Sequence, residues 1–517
     1  MSTTIQPRSV RGAARPTAAP RAGAREWTAL AVLLLPVLLV AVDATVLSFA
    51  LPSISAALNP SGTQLLWMID IYPLVLAGLL VSMGSFADRV GRRRLLLIGS
   101  IGFAVVSVIA AYAPNAAALI ASRAALGFFG AMLMPSTLSL LRNVFVDRQQ
   151  RRLAIAIWAA GFSGGAALGP IVGGFLLEHY WWGSAFLMAV PVLVLLLILA
   201  PIFVPESKDP TPGPVDVVSI GLSLITMAPV VYAIKSIAHE GFTSLSLMLI
   251  MISGLAGTAF VRRQLDREKP MLDVRLFTRS SFSGAVLANL LSVFSLVGFL
   301  FFVSQHLQLV LGESPMQAGL VLLPGLVVTI VAGLAVVPLV RRVSPRTVVA
   351  GGLLISAAGY GAVLLGAHDD SAFALSLAFV LLSLGIGAAE TISNDVIISS
   401  VPADKAGAAS AISETAYEIG AVLGTAVLGG ILTAAYSSAV VVPAGLSAAD
   451  ATTASETLGG ATAVAGQLAE PQATQLLSSA QQAFGNGVGV TSVIAMVLMV
   501  AAAGLVWVTL RGKGAES

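Results

Sequence analysis

Ala409 to Gly430 reads ASAISETAYEIGAVLGTAVLGG, and its reading decides the fold. The stretch is too apolar for a surface helix and too charged for an inert membrane span. Glu414 and Glu418 stand four residues apart, so on a helix they share one face. Gly420, Gly424 and Gly429 allow a second helix to approach closely. The same frame occurs earlier, in Ala154 to Gly174, AIAIWAAGFSGGAALGPIVGG. Ala154, Ile157, Gly165, Gly169 and Gly174 align with Ala409, Ile412, Gly420, Gly424 and Gly429. The earlier copy carries Ala159 and Ser163 where the later one carries Glu414 and Glu418. A duplicated membrane half, neutral in one copy and acidic in the other, is the plan of a secondary transporter.

Composition agrees. Of 517 residues, 57% are hydrophobic and only 10% charged, against roughly 25% charged in a soluble domain. Fourteen apolar runs reach the length of about 20 residues that crosses a bilayer. The expected fold is an all-α polytopic membrane protein. Residues 1–26 form a disordered basic tail and 27–203 a first six-helix half. Residues 204–281 hold two inserted helices and a connector with an interfacial helix. Residues 282–510 form a second six-helix half with a long outer loop, 437–484, and 511–517 a short tail. The outer loop is open to two readings, a mobile hairpin or short helices over the outer mouth.

The repeat extends beyond the opening pair. LGFFGAMLMPST from Leu126 matches LGIGAAETISND from Leu384, and DRVGRRR from Asp88 has an echo in RRVSPR from Arg341. Lys and Arg concentrate in alternate loops, which places both termini in the cytoplasm. Lys235 and Arg123 alone break that pattern. With no cysteine there is no disulfide framework or thiolate metal site. The four histidines, His179, His239, His306 and His368, have no ligand spacing. No phosphate loop, HExxH or nucleophile constellation is present, so neither an enzyme nor a cofactor or metal protein is expected, and nothing points to nucleic acid.

Acids inside a span each need a reason, because one Asp at a helix centre costs about 2.5–3.5 kcal/mol. Asp43, Asp70 and Arg123 lie at one depth, roughly 10–12 Å below the outer surface at ~1.5 Å per residue. An Asp43–Arg123 pair is either structural or part of a site. Three charges leave one acid over for a cation or proton. Glu390, Glu414 and Glu418 lie deeper, with no Lys or Arg in the neighbouring spans, while Asp395 sits at the inner interface. A buried carboxylate that holds a proton also attracts an organic cation, and competition for its oxygens is antiport. Trp67, Trp158, Phe162 and Tyr417 are candidate cation–π surfaces; packing is the plainer role for each.

Gly84, Asp88, Arg89, Gly91 and Arg92 occupy the tight turn between the second and third spans, in GSFADRVGRRR. Glycine permits the turn, and Asp88 is placed to accept from a neighbouring helix terminus. This turn resembles the loop signature of the major facilitator superfamily. Arg123 with Gly127 and Ala131 resembles that family's fourth-span motif. Gly165, Gly169, Pro170, Gly173 and Gly174 resemble its antiporter motif. Asp43-Ala-Thr-Val-Leu-Ser-Phe-Ala-Leu-Pro52 and Trp67-Met-Ile-Asp-Ile-Tyr72 resemble first- and second-span motifs of its 14-span drug:proton antiporters, the QacA, SmvA and LfrA type of multidrug exporter.

The resemblance implies a major facilitator fold with two six-helix halves and two inserted helices. It implies export of lipophilic organic cations such as quaternary ammonium compounds, dyes and antiseptics. Protons, not a cofactor, would drive it, through a monomer in the plasma (inner) membrane. Export of an endogenous metabolite or antibiotic is the alternative. One departure stands out. Some members carry an acid shortly after Leu322-Leu-Pro324, where this chain has Gly325, Leu326, Val327, Val328 and Thr329. That implies weaker handling of divalent cations.

Overall fold

The computed structural model describes residues 22–208, 216–268, 270, 272–366, 371–401 and 406–510. The tail arginines Arg8, Arg11, Arg15 and Arg21, His368, the His239 side chain and the tail 511–517 lie outside the described residues. Among those described, fourteen helical stretches are long and apolar enough to cross a membrane.

The first six spans are α1 (Ala24–Leu58), α2 (Gly62–Val90), α3 (Arg92–Ala111), α4 (Ala116–Val144), α5 (Arg148–His179) and the pair α6 (Ser184–Leu187) with α7 (Ala189–Phe203). Two helices follow as a hairpin, α8 (Val217–Glu240) and α9 (Ser244–Asp266). The last six spans are α10 (Ser280–Gln305), α11 (Pro315–Leu339), α12 (Pro345–Gly366), α13 (Ala372–Ser399), the pair α14 (Ala406–Leu423) with α15 (Gly430–Ala439), and α18 (Gln472–Thr509). Between α15 and α18 lie two short helices, α16 (Ala448–Glu456) and α17 (Leu458–Ala465). An even number of spans puts the start of α1 and the end of α18 on one face, here called the terminal face; α16 and α17 lie on the opposite, loop face.

The two sets of six pack alike. α1 packs on α5 and α7, as α10 packs on α14 and α18; α2 and α3 pack on α4, as α11 and α12 pack on α13. The shared glycine frame explains why. In membrane, apolar side chains gain little by leaving lipid, so close backbone approach drives helix pairing. A Cβ on Gly165 would stand 2.8 Å from Ala41 Cβ, and one on Gly169 2.9 Å from Thr45 Cβ. In the second half, a Cβ at Gly424 would meet the Phe294 carbonyl at 2.5 Å, and Gly420 likewise abuts Leu290. Gly165, Gly169 and Gly173 therefore close α5 onto α1 within one half. Their neighbours Pro170 and Gly174 face the other half. A Cβ on Gly174 would lie 2.7 Å from Met316 Cα, and the Pro170 carbonyl abuts Gly319. This seam joins α5 to α11 across the two halves.

The halves also meet at the loop face. Ser304 donates to the Ser48 carbonyl at 2.8 Å, and Gln308 to that of Phe49 at 3.2 Å. Glu456 accepts from the Gly62 N–H at 2.8 Å, and Thr457 lies 3.3 Å from Ser55. Tyr436 donates to the Ala454 carbonyl at 2.8 Å, so residues 440–471 are docked across both halves rather than hung as a free hairpin. The segment 472–484 is the first part of α18, not a separate cover. The connector after α9, where an interfacial helix is expected, holds a five-residue 3-10 helix, Val274–Thr278.

The α2–α3 turn is built as the glycines require, with one exchange of partners. Gly91 has φ +121°, which disfavours any side chain, and a Cβ there would stand 3.0 Å from the Glu206 carboxyl. Asp88 pairs with Arg92 at 2.8 Å inside its own turn. The acid that caps a neighbouring helix is Glu206, which accepts the backbone N–H of Arg93 at 3.1 Å and of Arg94 at 3.2 Å. At the start of α8, Asp216 accepts from the Ser219 N–H at 3.2 Å and pairs with Arg263 of α9 at 2.8 Å. Hydrogen bonds from Arg263 hold the Asp216 carboxyl well below the usual carboxylate range.

Candidate functional site

Two sets of intramembrane acids are held in opposite ways. Asp43 on α1 is buried and pairs with Arg123 on α4, 2.8 Å between Oδ2 and Nη1. Arg123 also donates to the Met68 carbonyl at 3.1 Å and lies 4.6 Å from the Tyr72 ring centre. The guanidinium therefore has a carboxylate, a carbonyl and an aromatic ring as partners, which is what a buried charge needs to offset its desolvation.

Asp70 has a partner as well, one the sequence left unassigned. Lys235 of α8 places Nζ 2.8 Å from Asp70 Oδ2, with side-chain exposures of 1% and 0%. The atoms are at ion-pair distance but outside hydrogen-bond directions. Lys235 Nζ also sits 4.0 Å from the Trp67 ring centre, and Tyr232 packs at 6.2 Å from the same indole. The expectation that three charges leave one acid unneutralised is thus corrected: the fourth charge comes from the inserted hairpin. Trp67 is corrected with it. It belongs to a cluster with Leu74, Val231 and Val422, between α2, α8 and α14, and not to a space shared with Trp158, Phe162 and Tyr417.

The second set is unpaired. Glu390 on α13 and Glu414 and Glu418 on α14 are half-buried. Among the described residues none of the three forms an ion pair or a hydrogen bond with a neighbouring side chain. Glu414 and Glu418 interact electrostatically with each other, Glu418 with Tyr72 of α2, and Glu414 with Arg142 near the end of α4. Tyr417 feels both Glu390 and Glu418. Glu414 and Glu418 thus face the space between the halves, beyond the loop-face seam, and Glu390 lies near Tyr417. Asp395 is exposed nearer the terminal face.

Phe162 and Tyr417 meet edge to face across that space, 5.7 Å between ring centres. Trp158 lies behind them, its indole donating to Thr137 at 3.2 Å, so it packs against α4. Below the acids, Asn289 of α10 donates to the Ser413 hydroxyl at 2.9 Å, and Ser413 bonds Asn394 of α13. This polar link, which ties α14 to α10 and α13, was not singled out in the sequence. Its signal was present as three polar residues inside apolar spans. Above the acids, residues Gly424–Gly429 run as a π-helical turn, which sets Thr425 beside Asp70. Such wide turns occur often at functional positions.

Among the described residues no group of His, Asp and Glu has the arrangement of a metal site. What the acids can do is bind and release protons, and hold a cation against an aromatic edge.

The comparisons with known proteins concern nearly the whole chain. It is 57% identical over 491 residues to the "Multidrug efflux pump LfrA" of Mycolicibacterium smegmatis, covering 95% of this chain and 97% of the relative. It is 37% identical to the "Methyl viologen resistance protein SmvA" of Salmonella typhimurium, over 92% of this chain and 97% of that one. The "Tetracenomycin C resistance and export protein" of Streptomyces glaucescens is 33% identical over 78% of this chain and 76% of its own. A bacterial homologue of the human lysosomal transporter Spinster, solved in an inward-facing, unoccupied conformation, superposes with a TM-score of 0.69 at 18% identity, over 96% of this chain and all of that one. The family model of the Major Facilitator Superfamily matches residues 33–425. By helix count, by repeat and by these matches, this chain is a multi-pass membrane transporter and belongs to the major facilitator superfamily.

Proposed function

We propose that the protein is a proton-coupled antiporter that exports lipophilic organic cations across the plasma membrane, with the terminal face in the cytoplasm. The observation that carries this is the contrast just described. The acids near the loop face are neutralised by Arg123 and Lys235, while Glu390, Glu414 and Glu418 stand half-buried and unpaired beside the Phe162–Tyr417 edge. The relatives at 57% and 37% identity, a multidrug efflux pump and a methyl viologen resistance protein, support the same reading.

Glu414 and Glu418 lie one turn apart, with about 6 Å between Cβ atoms. Two carboxylates that close in a poorly hydrated site retain a proton between them. A monovalent organic cation arriving at the pair favours the doubly ionised form and displaces that proton. The same oxygens then take a proton again when the site faces the outside. Phe162 and Tyr417 offer ring faces and edges to the cation's apolar body. The Gly174–Met316 and Gly319–Pro170 contacts form the outer seal, and the Gly84–Arg92 turn with Glu206 holds the α2–α3 corner rigid as the halves rock. The carrier works as a monomer, because each chain holds both halves.

Export of an endogenous antibiotic or metabolite by the same machinery is the second reading, favoured by the likeness to the tetracenomycin C export protein. The test of both is protein reconstituted in liposomes with a pH dye inside. Adding ethidium or a quaternary ammonium compound is expected to drive proton movement against the drug, and an uncoupler to abolish ethidium extrusion from loaded cells. Ethidium extrusion that persists at full rate with the proton gradient collapsed overturns proton coupling.

A further inference from the structure

Lys235 is the one basic residue of α8 within the described membrane interior, and the exporting chemistry above does not use it. Its position is costly. Taking an ammonium and a carboxylate fully out of water is costly even after relaxation, and an apolar pair of similar volume is often as stable or more so. A buried pair of this kind is therefore weak evidence for stability and better evidence for a positional role. The surroundings say which one. Asp70 belongs to the first half, Lys235 to the inserted hairpin, and Thr425, beside the Asp70 carboxyl, to the second half. α8 packs on α2, on the 424–429 turn and on α15, so it spans the line where the two halves touch. Leu66 and Gly429 face each other along that line, as do Gly62 and Thr433.

We propose that Lys235 is a positioning residue that latches the outer seam: through Asp70 and Trp67 it holds α2 against α14 and α15 while the loop face is closed. The latch opens when α2 and the 424–429 turn separate and water reaches the pair. Water then solvates both charges, so the pair is strong only in the closed arrangement, where a low dielectric strengthens it. The hairpin acts as a strap across the seam rather than as a passive insertion. The role is independent of which molecule is exported, and its test reads conformation.

The natural chain has no cysteine, so labels go only where they are introduced. Ala57 at the end of α1 and Ser438 at the end of α15 are both exposed and belong to opposite halves. Spin labels on Ala57→Cys and Ser438→Cys report the outer opening in lipid nanodiscs. Single neutralisations leave a lone buried charge, so the decisive variant is Asp70→Asn with Lys235→Met, which leaves none. The expected result is normal membrane content with the ratio of closed to open distances falling about tenfold. Lys235→Arg, which keeps the charge and the contact with Trp67, is expected to retain the wild-type distances. If the double variant keeps the closed distance distribution and wild-type efflux, the latch is overturned. If it fails to accumulate in the membrane while Lys235→Arg does accumulate, the pair is structural and the proposal falls as well.

Discussion

The acids near the loop face and the acids deeper in the second half are the same chemical groups in two regimes. Asp43 and Asp70 each have a cation at 2.8 Å and are closed off from solvent. Glu390, Glu414 and Glu418 have none and remain half-buried. A carboxylate held by a guanidinium or ammonium has little reason to change its protonation during a cycle. One without a partner is free to exchange a proton for a cation. The difference teaches that an intramembrane acid is read by its partner and its access, not by its depth alone.

The strongest way to break that comparison is to neutralise the unpaired set. Glu414→Gln with Glu418→Gln is expected to reduce ethidium efflux to the level of empty vesicles and to remove substrate-induced proton release in detergent, with protein content unchanged. A double variant that releases protons as the wild type does transfers the coupling role to Glu390 or to the paired acids.

The paired set is expected to respond through stability. Asp43→Asn leaves Arg123 buried without its counter-charge, a change that costs about 3–5 kcal/mol. Thermal unfolding in detergent reads this loss, and adding Arg123→Leu is expected to recover more than half of it. If Asp43→Asn unfolds as the wild type does but loses transport, Asp43 belongs with the exchanging acids and the comparison fails.

The smallest effect lies outside the membrane and sharpens the rule by its sign. Asp216 caps α8 and is held ionised by Arg263, its carboxyl below the ordinary range. A depressed carboxylate contributes stability that is fully present above its unfolded value, near pH 4, and is lost as pH falls through the lower folded value. Asp216→Asn keeps part of the cap and is expected to cost on the order of 1 kcal/mol at pH 7. The variant's unfolding temperature is expected to fall less than that of the wild type as the buffer goes from pH 6 to pH 3. Parallel acid curves for the two proteins remove Asp216 from the account.

Much of this was legible in the chain. The glycine frame shared by Ala154–Gly174 and Ala409–Gly430 marks two helices that pack the same way, because a missing Cβ constrains backbone distance wherever it stands. Glu414 and Glu418 could be placed on one face from their spacing alone. Trp67 could not be placed, because a helix has several faces and the sequence does not say which one meets α8. The expected partner of Asp88 was the right kind of group attached to the wrong acid: Glu206 lies more than a hundred residues away, at the exit of α7.

By itself the sequence determined the number of spans, the doubling of the half and the acids that membrane burial makes costly. These follow from hydropathy, spacing and charge, which are local properties. The tertiary structure decided which acids are neutralised, because Arg123 reaches Asp43 across 80 positions and Lys235 reaches Asp70 from an inserted helix. It also decided that Gly174 rather than Gly169 meets the opposite half. Ion pairing and seam packing depend on distances of a few ångströms between segments far apart in the chain, and only the folded arrangement of the helices sets those distances.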